Sequence, residues 1–196
     1  MCIRDRIEAI ILPKTQSFDF LATLAPMIDF SNKLVPLIET PRAIDTVTQI
    51  AAFKDVVGLF FGAADSSASL GCKLAWEPLL YARQKVVLAA AMYNLFTIDA
   101  PFFYIDDKEG LKNEAEAVKN LGFTGKAAIH PDQIDFINKS FAPTSEEIAE
   151  GKKVLEEYQK SGGGAVKIDG QMVDEPIAEA MRLKISLGEE ESENKD

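Results

Sequence analysis

The sequence predicts an α/β protein: a parallel sheet covered by helices, either open and doubly wound or closed into a barrel. Short β-rich apolar runs alternate with stretches of helical period, and the strand, helix, strand step recurs at intervals of roughly 20 to 40 residues. The first of these runs, around Ile10, Ile11 and Leu12, is continuously apolar rather than alternating, as a strand buried on both faces requires.

Residues 7–12 form the first expected strand, closed by Pro13 and Lys14. Ser17 caps a helix with Phe18, Leu21, Ala25 and Ile28 on its apolar face, and residues 34–38 form the next strand. Thr40 is an N-cap with Pro41 at the first helical position, Ile44, Val47 and Ile50 line one face, and residues 56–61 return as a strand. Pro78 starts a longer helix with Leu79, Val86 and Ala90 inward, leading to a strand at 95–98 with Asp99 at its end. Asp106 and Glu109 have capping-box spacing for a helix that buries Leu111, Ala115, Val118 and Leu121 and stops at Gly122, and residues 126–129 close the series. Thr144 and Glu147 form a second capping box, for a helix carrying Ile148, Leu155 and Tyr158 that ends at a flexible joint, Gly162 to Gly164. A short segment, 165–173, precedes a last helix over 175–187, and the polar run that follows is expected to be disordered. The expected organisation is a core domain over 7–142, a helical segment over 143–187 and an acidic tail over 188–196.

Composition narrows the chemistry. With 196 residues, 47% of them hydrophobic, the chain holds one well-buried core. Its net charge of −10, from 21 basic and 31 acidic residues, repels a phosphodiester backbone and excludes nucleic acid as a partner. Apolar runs such as the one from Val86 to Met92 fall far short of the ~20 residues a membrane span needs, and no signal peptide is recognisable, so the expected compartment is the cytoplasm. Cys2, Cys72 and His130 are the only residues of their kinds, which excludes a Cys/His zinc site and leaves carboxylates to carry the chemistry.

Each expected strand ends in, or is followed at once by, a polar residue: Lys14, Glu39, Asp65, Asp99 and His130. In a parallel barrel those positions share the C-terminal rim, where active sites lie. Glu39 and Asp65, on successive strand ends, supply the one or two carboxylates that magnesium takes from a protein, with waters and substrate oxygens such as those of a 2-oxo acid completing its octahedron. Taken singly, each carboxylate reads better as a solvated loop charge or a helix cap; their placement together favours a metal.

Four motifs in one order then carry a resemblance: Leu12-Pro13-Lys14, Leu37-Ile38-Glu39-Thr40, Phe61-Gly62-Ala63-Ala64-Asp65, and Gly125-Lys126-Ala127-Ala128-Ile129-His130-Pro131. With Asp169-Gly170-Gln171-Met172-Val173-Asp174 behind them, the chain resembles the citrate lyase beta-subunit family of CoA-ester lyases within the HpcH/HpaI aldolase/citrate lyase superfamily, from about Ile7 to Leu187. The resemblance implies a (β/α)8 TIM barrel, of which this sequence holds strands four to eight plus a C-terminal helical lid. It implies a magnesium-dependent lyase that cleaves a 3-hydroxyacyl-CoA of the malyl-CoA or citramalyl-CoA type into acetyl-CoA and a 2-oxo acid. Glu39 and Asp65 match the family's metal ligands, and Asp174 matches a lid aspartate that a neighbouring subunit supplies for proton exchange with the acetyl-CoA methyl carbon. Read without the resemblance, Asp174 before Glu175-Pro176 is a helix N-cap. A homo-oligomer, trimer or hexamer, is implied as well. The alternatives are a citrate lyase beta subunit acting on an acyl-carrier-protein thioester and a non-catalytic barrel relative serving assembly.

Lys14 and His130 are read as rim residues only, and Asp99 either orients the metal site or caps the turn before Pro101. Ala64 stands where many relatives carry a second acid, Ser66-Ser67 replaces a more usual apolar pair, and the family's early strands and substrate-binding arginine have no counterpart. Residues 1–6 match nothing in the family and read as an unrelated hexapeptide joined to a truncated frame. On that reading the 196-residue chain is expected to be neither stable nor active alone.

Overall fold

The computed structural model describes residues 9–28, 33–162 and 164–193. The chain divides into two compact units, Met1–Ile137 and Asn138–Asp196. That division lies inside a helix and slightly before the boundary expected at 142.

In the first unit five strands form one sheet in chain order: β1 (Ile10–Leu12), β2 (Leu34–Ile38), β3 (Gly58–Phe61), β4 (Phe96–Asp99) and β5 (Gly125–Lys126). Every neighbouring pair is parallel, with Ile11 opposite Val35, Ile38 opposite Phe61, Phe60 opposite Ile98 and Asp99 opposite Lys126. A doubly wound sheet reverses its strand order at a switch point. This one does not, so of the two architectures left open by the sequence the order is that of a singly wound, barrel-type sheet. The intervening helices are α1 (Phe18–Leu24), α2 (Pro41–Asp45), α3 (Val47–Ala51), α4 (Ala63–Leu70), α5 (Trp76–Met92) and α6 (Lys108–Leu121). Leu21, Ile38, Val47, Ile50, Leu59, Phe61, Leu79, Val86 and Val118 are fully buried beneath them.

Several elements depart from expectation for local reasons. Residues 7 and 8 of the first expected strand lie outside the described residues. The strand expected at 126–129 leaves the ladder early. Ala127 N–H still reaches Asp99 O at 2.9 Å, but Ile129 N–H donates to the Gln133 side chain at 3.0 Å instead of to a strand. One continuous helix was expected after Thr40; it breaks at Thr46, whose hydroxyl donates back to Arg42 O at 2.9 Å. The cap of α6 is Asp107, which accepts from Gly110 N–H at 2.8 Å, so the expected box from Asp106 to Glu109 is displaced by one residue. α4 was not anticipated, because its Ala- and Ser-rich sequence has no apolar period; Gly71 ends it in the left-handed region at φ 68°.

A buried charge cluster joins β4 and β5 to the helices. Asp99 is fully buried, and it accepts from Arg83 Nε at 2.8 Å and from Lys126 Nζ at 2.8 Å. The same ammonium donates to Glu114 at 2.6 Å and to Ala100 O at 2.7 Å. The Arg83 guanidinium is stacked between the rings of Phe61 and Trp76, 5.1 and 4.8 Å from their centroids, which offsets the burial of its unpartnered Nη1. Its oxygens are therefore taken up by two cations rather than by a cap of the turn before Pro101.

The second unit contains α8 (Ser145–Lys160), a hairpin of β6 (Val166–Ile168) and β7 (Gln171–Val173), and α9 (Glu175–Glu193). α7 (Ile134–Phe141) precedes it and runs through the division at Ile137. The capping box forms as expected: Thr144 Oγ1 accepts from Glu147 N–H at 3.1 Å, and Thr144 N–H donates to the Glu147 carboxylate at 2.9 Å. The segment 165–173 is the hairpin, turned by Asp169 (φ 47°) and Gly170 (φ 90°), the two positive angles of a type I′ turn. Val154, Tyr158, Ile168, Val173 and Ala178 form this unit's own core. α9 extends to Glu193, into the run expected to be disordered from residue 188, which is rich in glutamate, a good helix former. Residues 194–196 of the expected tail lie outside the described residues. Among the described residues no helix is long and apolar enough to cross a membrane.

Replacing Asp99 with Ala leaves two buried cations facing each other. A loss of about 3–5 kcal/mol in unfolding free energy is expected, measured by urea denaturation. A change below 1 kcal/mol would contradict the assignment of Asp99 as the anchor of this cluster.

Candidate active site

At the C-terminal end of β1 the chain turns through Pro13 and Lys14, and Thr15 Oγ1 closes the turn by donating to Leu12 O at 3.0 Å. Lys14 adopts φ 54°, a left-handed conformation uncommon for a residue with a long side chain. That conformation aims its backbone N–H at Glu39 Oε1, 2.8 Å away. Glu39 follows β2 directly, and Thr40 behind it caps α2 by accepting from Ala43 N–H at 3.1 Å. Its side chain is only 5% exposed.

The third wall is the end of β3. Gly62 N–H continues the ladder to Ile38 O at 2.9 Å, which brings its backbone against Glu39. A Cβ at position 62 would lie 2.6 Å from Glu39 Cβ and 3.0 Å from Oε2, so only glycine fits. Asp65 then stands in the first turn of α4, where the helix dipole favours a carboxylate. The Lys14 ammonium forms an ion pair with the Asp65 carboxylate and lies 3.9 Å from Glu39 Oε1.

Burial pushes the Glu39 carboxyl above its ordinary pKa, against the opposing pull of the Lys14 N–H and ammonium. The hydrogen bond from Lys14 holds Asp65 below its ordinary value, and the same bond raises Lys14. Glu39, directly after β2, and Asp65, in the first turn of α4 after β3, thus meet at one cationic position. Among the described residues no three His, Cys, Asp or Glu side chains cluster. A two-carboxylate donor set of this kind suits magnesium, which keeps most of its coordination sphere for water and ligand oxygens, and it does not suit a metal needing a closed protein cage.

His130 Nδ1 accepts from Asp132 N–H at 3.3 Å and so caps the short 3-10 turn Pro131–Gln133. Asp174 belongs to the second unit, where it is the residue before α9 and accepts from Ile177 N–H at 3.4 Å, as its N-cap reading requires. Gln133, buried and bridging Ile129 N–H to Phe102 O, was missed, as was Arg83. Arg83 was legible in principle, since it interrupts the inward face that Leu79, Val86 and Ala90 define.

Fold and site together define a class: parallel α/β proteins of the singly wound type with a carboxylate pair at one edge of the sheet. Within that class the chain belongs to the HpcH/HpaI aldolase/citrate lyase family, whose pattern it matches over residues 3–131. The match begins at residue 3. The chain is 30% identical to the citrate lyase subunit beta of Haemophilus influenzae, over 92% of its own length and 68% of that protein's. It is 30% identical to the human mitochondrial citramalyl-CoA lyase, over 92% of its own length and 60% of that enzyme's. It thus spans about three fifths to two thirds of these relatives. Among solved structures, the CitE protein of Mycobacterium tuberculosis in complex with magnesium, acetoacetate and coenzyme A superposes with a TM-score of 0.81 at 31% identity, covering 92% of this chain and 68% of that one. RipC from Yersinia pestis superposes at 0.69 with 43% identity, over 72% of this chain and 66% of its own.

Gly62→Ala should cost about 1–3 kcal/mol of stability, because the added methyl meets the buried Glu39 stem rather than a flexible tip. Denaturant titration reads the loss. A variant as stable as the parent would show that the wall at position 62 can yield.

Proposed function

We propose that this chain is part of a magnesium-dependent carbon–carbon lyase that cleaves a 3-hydroxyacyl-CoA, malyl-CoA or citramalyl-CoA in type, into acetyl-CoA and a 2-oxo acid. The observation that carries the reading is the convergence of Glu39 and Asp65 on one cationic position at the ends of adjacent parallel strands. Support comes from relatives named for citrate lyase and citramalyl-CoA lyase, and from a relative solved with magnesium and coenzyme A. On this reading the five strands are the fourth to eighth of a (β/α)8 barrel, and the second unit is its lid.

Glu39 and Asp65 would hold the metal, which as a Lewis acid stabilises negative charge on the oxo-acid oxygens. Glu39, fixed by the Lys14 N–H and walled by Gly62, sets the position; Asp65, half-exposed, adapts to the ion. Asp174 exchanges the proton of the acetyl methyl carbon from a lid contributed by a neighbouring copy, which makes the working protein a homo-oligomer, a trimer or hexamer, in the cytoplasm. A second reading, a citrate lyase beta subunit acting on an acyl-carrier-protein thioester, is favoured by the likeness to the Haemophilus influenzae subunit. Activity on the carrier-protein thioester but on neither CoA ester would select it.

The test is acetyl-CoA release from malyl-CoA and citramalyl-CoA. Glu39→Ala should abolish both turnover and magnesium binding by calorimetry. Asp174→Asn should lower turnover by about 10²- to 10⁴-fold while leaving magnesium affinity within about twofold, because it removes only the proton-transfer group. Mixing the two variants after subunit exchange should restore part of the activity if the lid acts across subunits. Release from neither thioester by the unsubstituted protein would overturn the CoA-lyase reading.

A further inference from the structure

Lys14 is the one residue of the rim whose backbone and side chain both engage the carboxylate pair. Its N–H bonds Glu39, and its ammonium pairs with Asp65 and approaches Glu39 at 3.9 Å. It does so from a left-handed backbone at φ 54°, which a lysine adopts only when its surroundings over-determine it. The buried turn around Thr15 and the bond to Glu39 supply that determination.

We propose that Lys14 is the built-in counter-cation of the site: its ammonium offsets one of the two negative charges of Glu39 and Asp65 and orders the pair before a divalent cation binds, and leaves Asp65 when one does. The inference rests on the reading that these carboxylates hold magnesium. An ammonium in contact with Asp65 occupies a coordination direction that a metal shared by the two carboxylates needs, and two like charges repel strongly at such separations. The components differ in freedom. Glu39 is 5% exposed, whereas the Lys14 and Asp65 side chains are 57% and 51% exposed, so the ion pair is solvent-screened and its lysine has room to swing out. The backbone N–H does not move with the ammonium, so Glu39 keeps its orientation after the exchange. Lys14 is thus a positioning residue through its main chain and a competitor of the metal through its side chain. A purely structural lysine would lower metal affinity when replaced. A competitor raises it.

The experiment is a calorimetric titration with magnesium chloride of the unsubstituted protein, Lys14→Asn and Lys14→Arg. Asparagine tolerates the left-handed conformation, so the N–H to Glu39 is retained while the charge is lost. Lys14→Asn should bind magnesium about five- to tenfold more tightly, and Lys14→Arg, which keeps the charge, within about twofold of the parent. Unchanged or weaker binding by Lys14→Asn overturns the proposal, as does equal tightening by Lys14→Arg. Absence of binding by all three proteins overturns the metal reading together with it. A measurement on the unsubstituted protein guards against misfolding of the variants: the lysine ε-methylene NMR signal assigned to Lys14 should move to the free-lysine position as magnesium saturates. A stationary signal under saturation overturns the exchange.

Discussion

Parallel pairing in chain order is the constraint on which the rest depends. Because β1, β2 and β3 run the same way and lie side by side, Lys14, Glu39 and Gly62 arrive at one edge of the sheet, with Asp65 a turn further on. No long-range search is needed to assemble the site; the ladder does it. The register is tight enough that the wall at Gly62 excludes a single methyl group, and the position of Glu39 follows from backbone geometry more than from its own side-chain contacts.

Two charge clusters sit on this sheet, and their difference separates structure from function. Around Asp99 the charges are buried and paired, with Lys126 donating to three acceptors and Arg83 lying over two aromatic rings while its Nη1 stays unpartnered. Such a cluster resists change, since removing any member strands a buried charge. Around Lys14 one carboxylate is buried and rigid while the other carboxylate and the cation are half-exposed. On the proposed metal reading, one fixed and one adaptable carboxylate is what a site needs if it is to exchange its cation without unfolding.

The periodic parts of this fold were legible in the sequence. β2 appeared with its observed bounds, Leu34–Ile38, because a continuous apolar run between two caps has no other reading; the Thr144 box and the Gly122 stop were equally plain. What escaped were features set by contacts distant in sequence or by small residues. α4 has no apolar stripe to betray it, and the loss of Ile129 from the β5 ladder depends on Gln133. The hairpin at 166–173 carried a readable Asp-Gly signal that was passed over, because its strands are only three residues each. Glu39 and Asp65 emerged from strand-end placement, but the roles of Lys14 and Asp99 did not. Lys14 depends on a left-handed angle, and Asp99 on partners 16 and 27 residues away.

The chain's departures from its family's pattern can now be placed on the first turn of α4. Ala64, which the family resemblance marks as the place of a second acid, is exposed. Ser66 and Ser67 are buried in place of an apolar pair. Ser67 Oγ donates to Ala64 O at 2.8 Å and so costs little, but Ser66 Oγ has no hydrogen-bond partner. A buried hydroxyl without a partner one residue from Asp65 carries a desolvation cost of about 1–3 kcal/mol in the turn that bears that carboxylate. The Lys14 ammonium offsets one of the two carboxylate charges at this rim, so the pair with its lysine keeps a net charge of about −1 for a cation to meet.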